Sequence, residues 1–163
     1  PKKIENGKDI TIVANSLNVI ECLFILKILK KYKITIDLFD LRVCRPLKLD
    51  EIKKSVKKTG KLMTVDLGSK ILGIGSEIVS EVTASCFKFL THPPVRIGMP
   101  DYPTPSSRGY LKNHYPDKIK IINELSKFFP IIKKNYKSII SELNKENKKL
   151  PIDIPDPSFR GPF

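Results

Sequence analysis

An α/β domain, with a mostly parallel sheet and helices on both faces, is what this sequence predicts. Short β-branched runs alternate with helix-length stretches in the order β-α-β-α-β-α-β, and parallel strands need a crossover of about helix length between them. The 163 residues are one domain's worth of chain, enough to bury a core. Hydrophobic residues at 40% and charged residues at 29% fit a soluble globular protein.

The first strand is Ile10–Ala14, a β-branched run after Gly7. Ser16 is placed to cap a helix from about Leu17 to Lys31, with Ile20, Leu23, Phe24 and Ile28 inward and Lys27, Lys30 and Lys31 outside or at its end. Ile34–Phe39 is the next strand. Pro46 then breaks the chain before Asp50, which is placed to cap a helix with Ile52 and Val56 inward, and Gly60 stands where a left-handed C-terminal cap is expected. Leu62–Asp66 is a third strand. The helix after Gly75 puts Ile78, Val82 and Cys86 on one stripe, with Val79 and Phe87 beside it, and Pro94–Ile97 is a last short strand. Lys2–Glu5 adds an edge strand.

The stretch Pro100-Asp101-Tyr102-Pro103-Thr104-Pro105 then stops regular structure. Three prolines in six residues remove backbone donors and pin φ, leaving a stiff loop that holds one shape against a partner. Beyond it, Asp117 is placed to cap a helix with Ile119, Ile122, Leu125 and Phe129 inward. Pro130 interrupts it, and a second helical pattern runs through Ile132, Tyr136, Ile139 and Leu143. From Leu150 to Phe163 the chain carries Pro151, Pro155, Pro157 and Pro162, with Ile152, Ile154, Phe159 and Phe163 between them. Such a tail has no core of its own, so its apolar residues are expected to pack along another surface. The division expected is residues 1–129 as the α/β domain and residues 130–163 as a helical and proline-rich extension.

Composition excludes several classes. No apolar run reaches the ~18 residues of a membrane span, and Glu21 and Lys27 interrupt the nearest approach, Ile20–Leu29. The net charge of +13 invites a nucleic-acid reading, but Arg42, Arg45, Arg96, Arg108 and Arg160 are few and scattered. The lysines, such as Lys53, Lys54, Lys57 and Lys58, fall on outer helix faces, so a solvated basic surface is expected. Cys22, Cys44 and Cys86 are odd in number and widely spaced, neither a zinc site nor a disulfide framework, and read as buried inert thiols in a reducing, cytoplasmic setting. The chain opens on Pro1 without a signal-peptide pattern and reads as a piece of a longer polypeptide.

Candidate chemistry is sparse. Gly68–Gly75 joins a strand to a helix, where backbone N–H groups could hold an anion, but it lacks both the Gly-Lys-Ser/Thr ending of a phosphate loop and the G-x-G-x-x-G dinucleotide pattern. A tight turn, in which Gly73 and Gly75 let the helix approach the sheet or a neighbour, is the favoured reading. His92 and His114 are far apart in sequence, lack the Cys or acidic partner that would build a triad or a metal site, and read as surface loop residues. Asp66 at a strand end, on the ligand side of open sheets, and Asp101 in the proline loop read as capping or loop hydrogen-bonding groups.

The order of these pieces is similar to the transketolase C-terminal domain. The segments that carry the resemblance are Gly7–Ala14, Asp40-Leu41-Arg42-Val43-Cys44-Arg45-Pro46-Leu47 and Gly73-Ile74-Gly75-Ser76-Glu77-Ile78. The strand Val95-Arg96-Ile97 followed by Pro100–Pro105 looks most like the beta subunit of the decarboxylating component of 2-oxoacid dehydrogenases, such as pyruvate dehydrogenase. The likeness covers roughly Lys3 to Leu125. It implies a three-layer α/β/α domain whose five-stranded sheet is mostly parallel with one antiparallel edge strand.

The resemblance further implies a parent enzyme that uses thiamine diphosphate and Mg²⁺. The cofactor, the catalytic Glu, the acid/base His and the metal-binding Gly-Asp-Gly motif belong to other segments. This chain is then an assembly domain with no catalytic, cofactor or metal residues, contributing dimer contacts to a homo-oligomer, to other thiamine-binding domains or to an alpha subunit. The expected interface residues are Gly73, Gly75, Asp101, Pro103, Thr104, Pro105, Phe159 and Phe163. Departures from the family pattern weigh against docking to an acyltransferase core. Ser69 and Ser106 stand where the family has aromatic residues, an acidic docking residue aligns near Thr91, and the chain runs past the family's usual end. The alternative is an independent Rossmann-like module for a small ligand or nucleotide. No nucleic-acid or membrane partner is expected.

Overall fold

The computed structural model describes residues 1–111 and 114–146. Five strands, β1 (Lys2–Glu5), β2 (Ile10–Ala14), β3 (Ile36–Asp40), β4 (Leu62–Ser69) and β5 (Val95–Met99), form one sheet in the order β1-β3-β2-β4-β5. β1 runs antiparallel to β3 with Lys2 opposite Asp40, and every other pair is parallel. The edge strand and the mostly parallel sheet are as the sequence implies.

Among the described residues six α-helices complete the layers: α1 (Leu17–Lys30), α2 (Asp50–Thr59), α3 (Ile74–Cys86), α4 (Lys118–Phe128), α5 (Pro130–Lys134) and α6 (Tyr136–Glu146). Because side chains alternate along a strand, each strand feeds two cores. Ile10, Ile12, Ile36, Leu38, Met63, Val65 and Ile97 face one side, where they meet Ile25 and Leu29 of α1, Ile121, Ile122 and Leu125 of α4, and Ile132, Ile139 and Leu143 beyond it. Val13, Phe39 and Leu62 face the other side, against Ile52 and Val56 of α2 and Ile78, Val82 and Cys86 of α3. The helices after Pro130 therefore share the first core.

Several local expectations are corrected. α1 buries Cys22, Ile25, Leu26, Ile28 and Leu29, while Ile20, Leu23 and Phe24 are only half-buried. The helix is apolar nearly all round, so periodicity alone does not choose the inner stripe. Ser16 stands at the N-cap position without a side-chain hydrogen bond, at φ 48°. Asp50 is the first helical residue and Leu49 precedes it, so the carboxylate favours the first turn through charge and makes no cap bond. Phe87 is 74% exposed because the chain leaves α3 in a tight 3-10 turn at that residue. On α4 the inward residues are Ile121, Ile122, Leu125 and Phe128, so Ile119 and Phe129 are displaced to the flank.

Other expectations hold. Gly60 adopts φ 70° and donates its N–H to Val56 O at 2.8 Å. Asp117 caps α4 by accepting from Lys120 N at 2.7 Å. Cys22 and Cys86 are buried, and burial first, then Glu21, pushes the Cys22 thiol far up, which keeps it inert. Cys44, by contrast, is exposed in the loop after β3. No helix among the described residues is long and apolar enough to cross a membrane.

Candidate functional site

The four parallel strands end along one edge of the sheet, the edge where open α/β sheets place ligands. Asp66 lies there, 7% exposed, near the end of β4. Its carboxylate accepts from Asn15 Nδ2 at 2.6 Å and from Gly68 N at 2.9 Å, while Asn15 Oδ1 accepts from Leu67 N at 3.3 Å. The pair joins the end of β2 to that of β4. The crevice between Val13, Ala14, Leu41, Thr64, Asp66 and Gly75 holds about 10 Å³, the limit for a single water. A nucleotide does not fit it as it stands.

From this base the turn Ser69–Gly75 projects. Lys70 N donates to Met99 O at 2.9 Å, tying the turn to β5. Arg96 reaches across from β5 to Lys70 O at 3.0 Å and also donates to the Ser76 hydroxyl. Gly73 and Gly75 both make close approaches within the domain. A Cβ on Gly73 would meet Ser69 O at 2.0 Å, and one on buried Gly75 would meet Thr64 Oγ1 at 2.8 Å, so both let α3 start hard against β4. At the tip Leu72 is 97% exposed at φ 56°, a left-handed conformation unusual for a branched side chain, and Ile71 beside it is 51% exposed.

The proline loop leaves the same edge from the end of β5. Asp101, Pro103 and Thr104 are exposed and Pro105 half-buried. His114, read from sequence as a surface residue, is buried and fastens the loop: its Nε2 lies 3.1 Å from Thr104 Oγ1, and its ring packs 5.3 Å from Tyr102 and 4.9 Å from Tyr115. Lys120 of α4 donates to Gly98 O at 3.0 Å at the loop's base, and burial draws its ammonium pKa below the ordinary value. Tyr102 is 51% exposed and Tyr110, further along, 75%. His92 is half-buried, 5.6 Å from the Phe128 ring, and Thr91 beside it gives its hydroxyl to Gly60 O at 3.1 Å.

The structure thus brings the turn and the loop to one edge and holds both in place. Sequence reasoning missed Arg96, Asn15 and His114. An arginine between Val95 and Ile97 in a short strand was the available signal for the first, and the tyrosines flanking His114 for the last. Phe159 and Phe163 lie outside the described residues. Among the described residues no group of three or more His, Cys, Asp or Glu gathers where it could hold a metal ion.

A three-layer α/β/α domain with a closed ligand edge and rigid projecting loops is the class these features define. The chain belongs to the transketolase C-terminal domain family, whose model matches residues 2–121. It is 33% identical over 126 residues to the pyruvate dehydrogenase E1 component subunit beta of Rickettsia bellii, covering 77% of this chain and 39% of that protein. With the mitochondrial E1 subunit beta of Saccharomyces cerevisiae it shares 37% identity over 132 residues, 79% of this chain and 36% of the relative. A solved structure described as a split gene transketolase, inactive beta4 tetramer, superposes with TM-score 0.63 at 23% identity, over 77% of this chain and 41% of that one, a likeness of fold. The chain spans less than two fifths of the length of these two curated relatives.

Proposed function

We propose that this chain is the C-terminal assembly domain of a thiamine-diphosphate-dependent enzyme, of the transketolase or 2-oxoacid dehydrogenase beta-subunit kind, and has no catalytic residues of its own. The observation that carries the reading is Leu72. A leucine held fully in solvent, on a strained backbone, at the tip of a turn clamped by Arg96 contributes nothing to its own core. Exposed apolar groups on rigid supports are what a protein interface uses. The apolar partners in this patch are Ile71 and Tyr102, and Gly73, Asp101, Pro103, Thr104 and Pro105 shape the surface around them.

The partner is a second copy of the same subunit, with other thiamine-binding domains or an alpha subunit completing the enzyme, and the naming of the relatives as beta subunits supports a multi-subunit reading. Docking to an acyltransferase core is disfavoured, because Thr91 is a neutral residue engaged with Gly60. The free thiols fit a reducing compartment, the cytoplasm in this reading. Hydroxyl-radical footprinting of the intact protein at high and low concentration tests the interface. Leu72 and Tyr102 are expected to be protected at high concentration and labelled on dilution. Equal labelling at both concentrations contradicts the reading.

A further inference from the structure

Helix α3 starts without a side-chain cap. Its cap position is Gly73, which has no side chain to accept from the first turn, and the Ile74 and Gly75 N–H groups have no hydrogen-bond partner among the described residues. Gly75 is buried, so the positive end of a 13-residue helix is left bare inside the domain.

Two polar groups of β4 face that start. Leu62, Thr64 and Asp66 alternate onto the side of the strand that packs against α3. Thr64 Oγ1 lies 2.8 Å from where a Cβ of Gly75 would stand, and Asp66 Oδ2 lies 3.4 Å from where a Cβ of Gly73 would stand. Thr64 is 2% exposed, and its hydroxyl has no partner among the described residues. Asp66 takes both of its hydrogen bonds, from Asn15 and Gly68, on Oδ1, which leaves Oδ2 open. A buried hydroxyl without a partner is costly. The crevice that Thr64, Asp66, Ile74 and Gly75 line, about 10 Å³, has room for one water and enough polar groups to hold it.

We propose that a single ordered water occupies this crevice and caps α3. It accepts from the Thr64 hydroxyl and from a first-turn N–H, and it donates to Asp66 Oδ2. The bare N–H groups repel a cation and the carboxylate repels an anion, so a neutral molecule with both donors and acceptors is what the site takes. Asp66 then meets the α3 dipole through the water, and the two glycines keep the space open for it. The turn Ser69–Gly75 is thereby closed at its base, as Arg96 closes it at its flank. This cap stands whether or not Leu72 meets a partner.

A high-resolution crystal structure of the intact protein, with crystals soaked in rubidium chloride, tests the site directly. The expected result is one water peak within hydrogen-bond distance of Thr64 Oγ1 and Asp66 Oδ2, with no anomalous signal from rubidium. Thr64→Val keeps the shape and removes the hydroxyl; it should lose the peak and melt about 2–4 °C lower. Thr64→Ser should keep the peak. An empty crevice or a rubidium peak overturns the proposal. So does Thr64→Val melting at or above the parent temperature, because a hydroxyl with no partner has nothing to lose on removal.

Discussion

Asp37 shows how one buried carboxylate organises the junction of three elements. It stands on β3 with a fully buried side chain and accepts from Ser55 Oγ at 2.6 Å and Lys58 Nζ at 2.7 Å, with Lys3 Nζ at 3.1 Å from its other oxygen. Ser55 passes the network on to Thr11, which also meets Thr59. Burial pushes the carboxyl pKa up, but the hydrogen bonds from Lys58, Ser55 and Lys3 together outweigh it and hold the group below its ordinary value. A depressed carboxylate stabilises the fold above its unfolded pKa, and that contribution is lost as pH falls through the folded value. Thermal melts should therefore show stability falling as pH drops below about 4. Asp37→Asn should flatten that fall and cost about 1–3 kcal/mol at pH 7, less than a fully buried pair because both lysines are part exposed. An unchanged pH profile in the variant would remove Asp37 from this role.

At the scale of elements, the two helix starts the sequence treats alike differ in structure. Asp117 makes its cap bond to Lys120 N, whereas Ser16 makes none. Asp117→Ala should lower stability by about 1 kcal/mol, and Ser16→Ala should change it by less than about 0.5 kcal/mol. Denaturant melts of both variants measure the contrast, and equal losses would contradict the cap assignment. The same contrast shows what was legible. Strand and helix order, the Gly60 cap and the stripe Ile78, Val82 and Cys86 follow from local pattern, because a single buried face imposes one period. The inner stripe of α1 does not, because α4 and α6 cover so much of that helix that apolar residues appear all round it. His114 and Arg96 were opaque for a related reason: their partners, Thr104 and the Lys70 carbonyl, are set by loop closure and not by periodicity.

For the whole molecule, the charge and the apolar surface divide the work. Lysines spread over the outer helix faces keep the domain hydrated, and the projecting turn and proline loop carry exposed apolar side chains at one edge. The glycine turn was readable as a place of close approach, and Gly75 serves that purpose against Thr64 within the chain. That Leu72 is the residue left outside was not readable, since an apolar residue two positions from a helix start is as consistent with a core contact. A second exposed pair, Phe87 and Phe89, lies at the opposite edge, with Lys57 5.6 Å above the Phe89 ring. It makes a natural control, an exposed apolar pair remote from the proposed surface. Sedimentation velocity of the intact protein carrying Leu72→Asp, beside Phe87→Asp, is the most direct test of the assembly role. The account predicts a shift to smaller species for Leu72→Asp with an unchanged far-UV circular dichroism spectrum, and a parental profile for Phe87→Asp. Parental sedimentation of Leu72→Asp, or an equal shift in both variants, would contradict it.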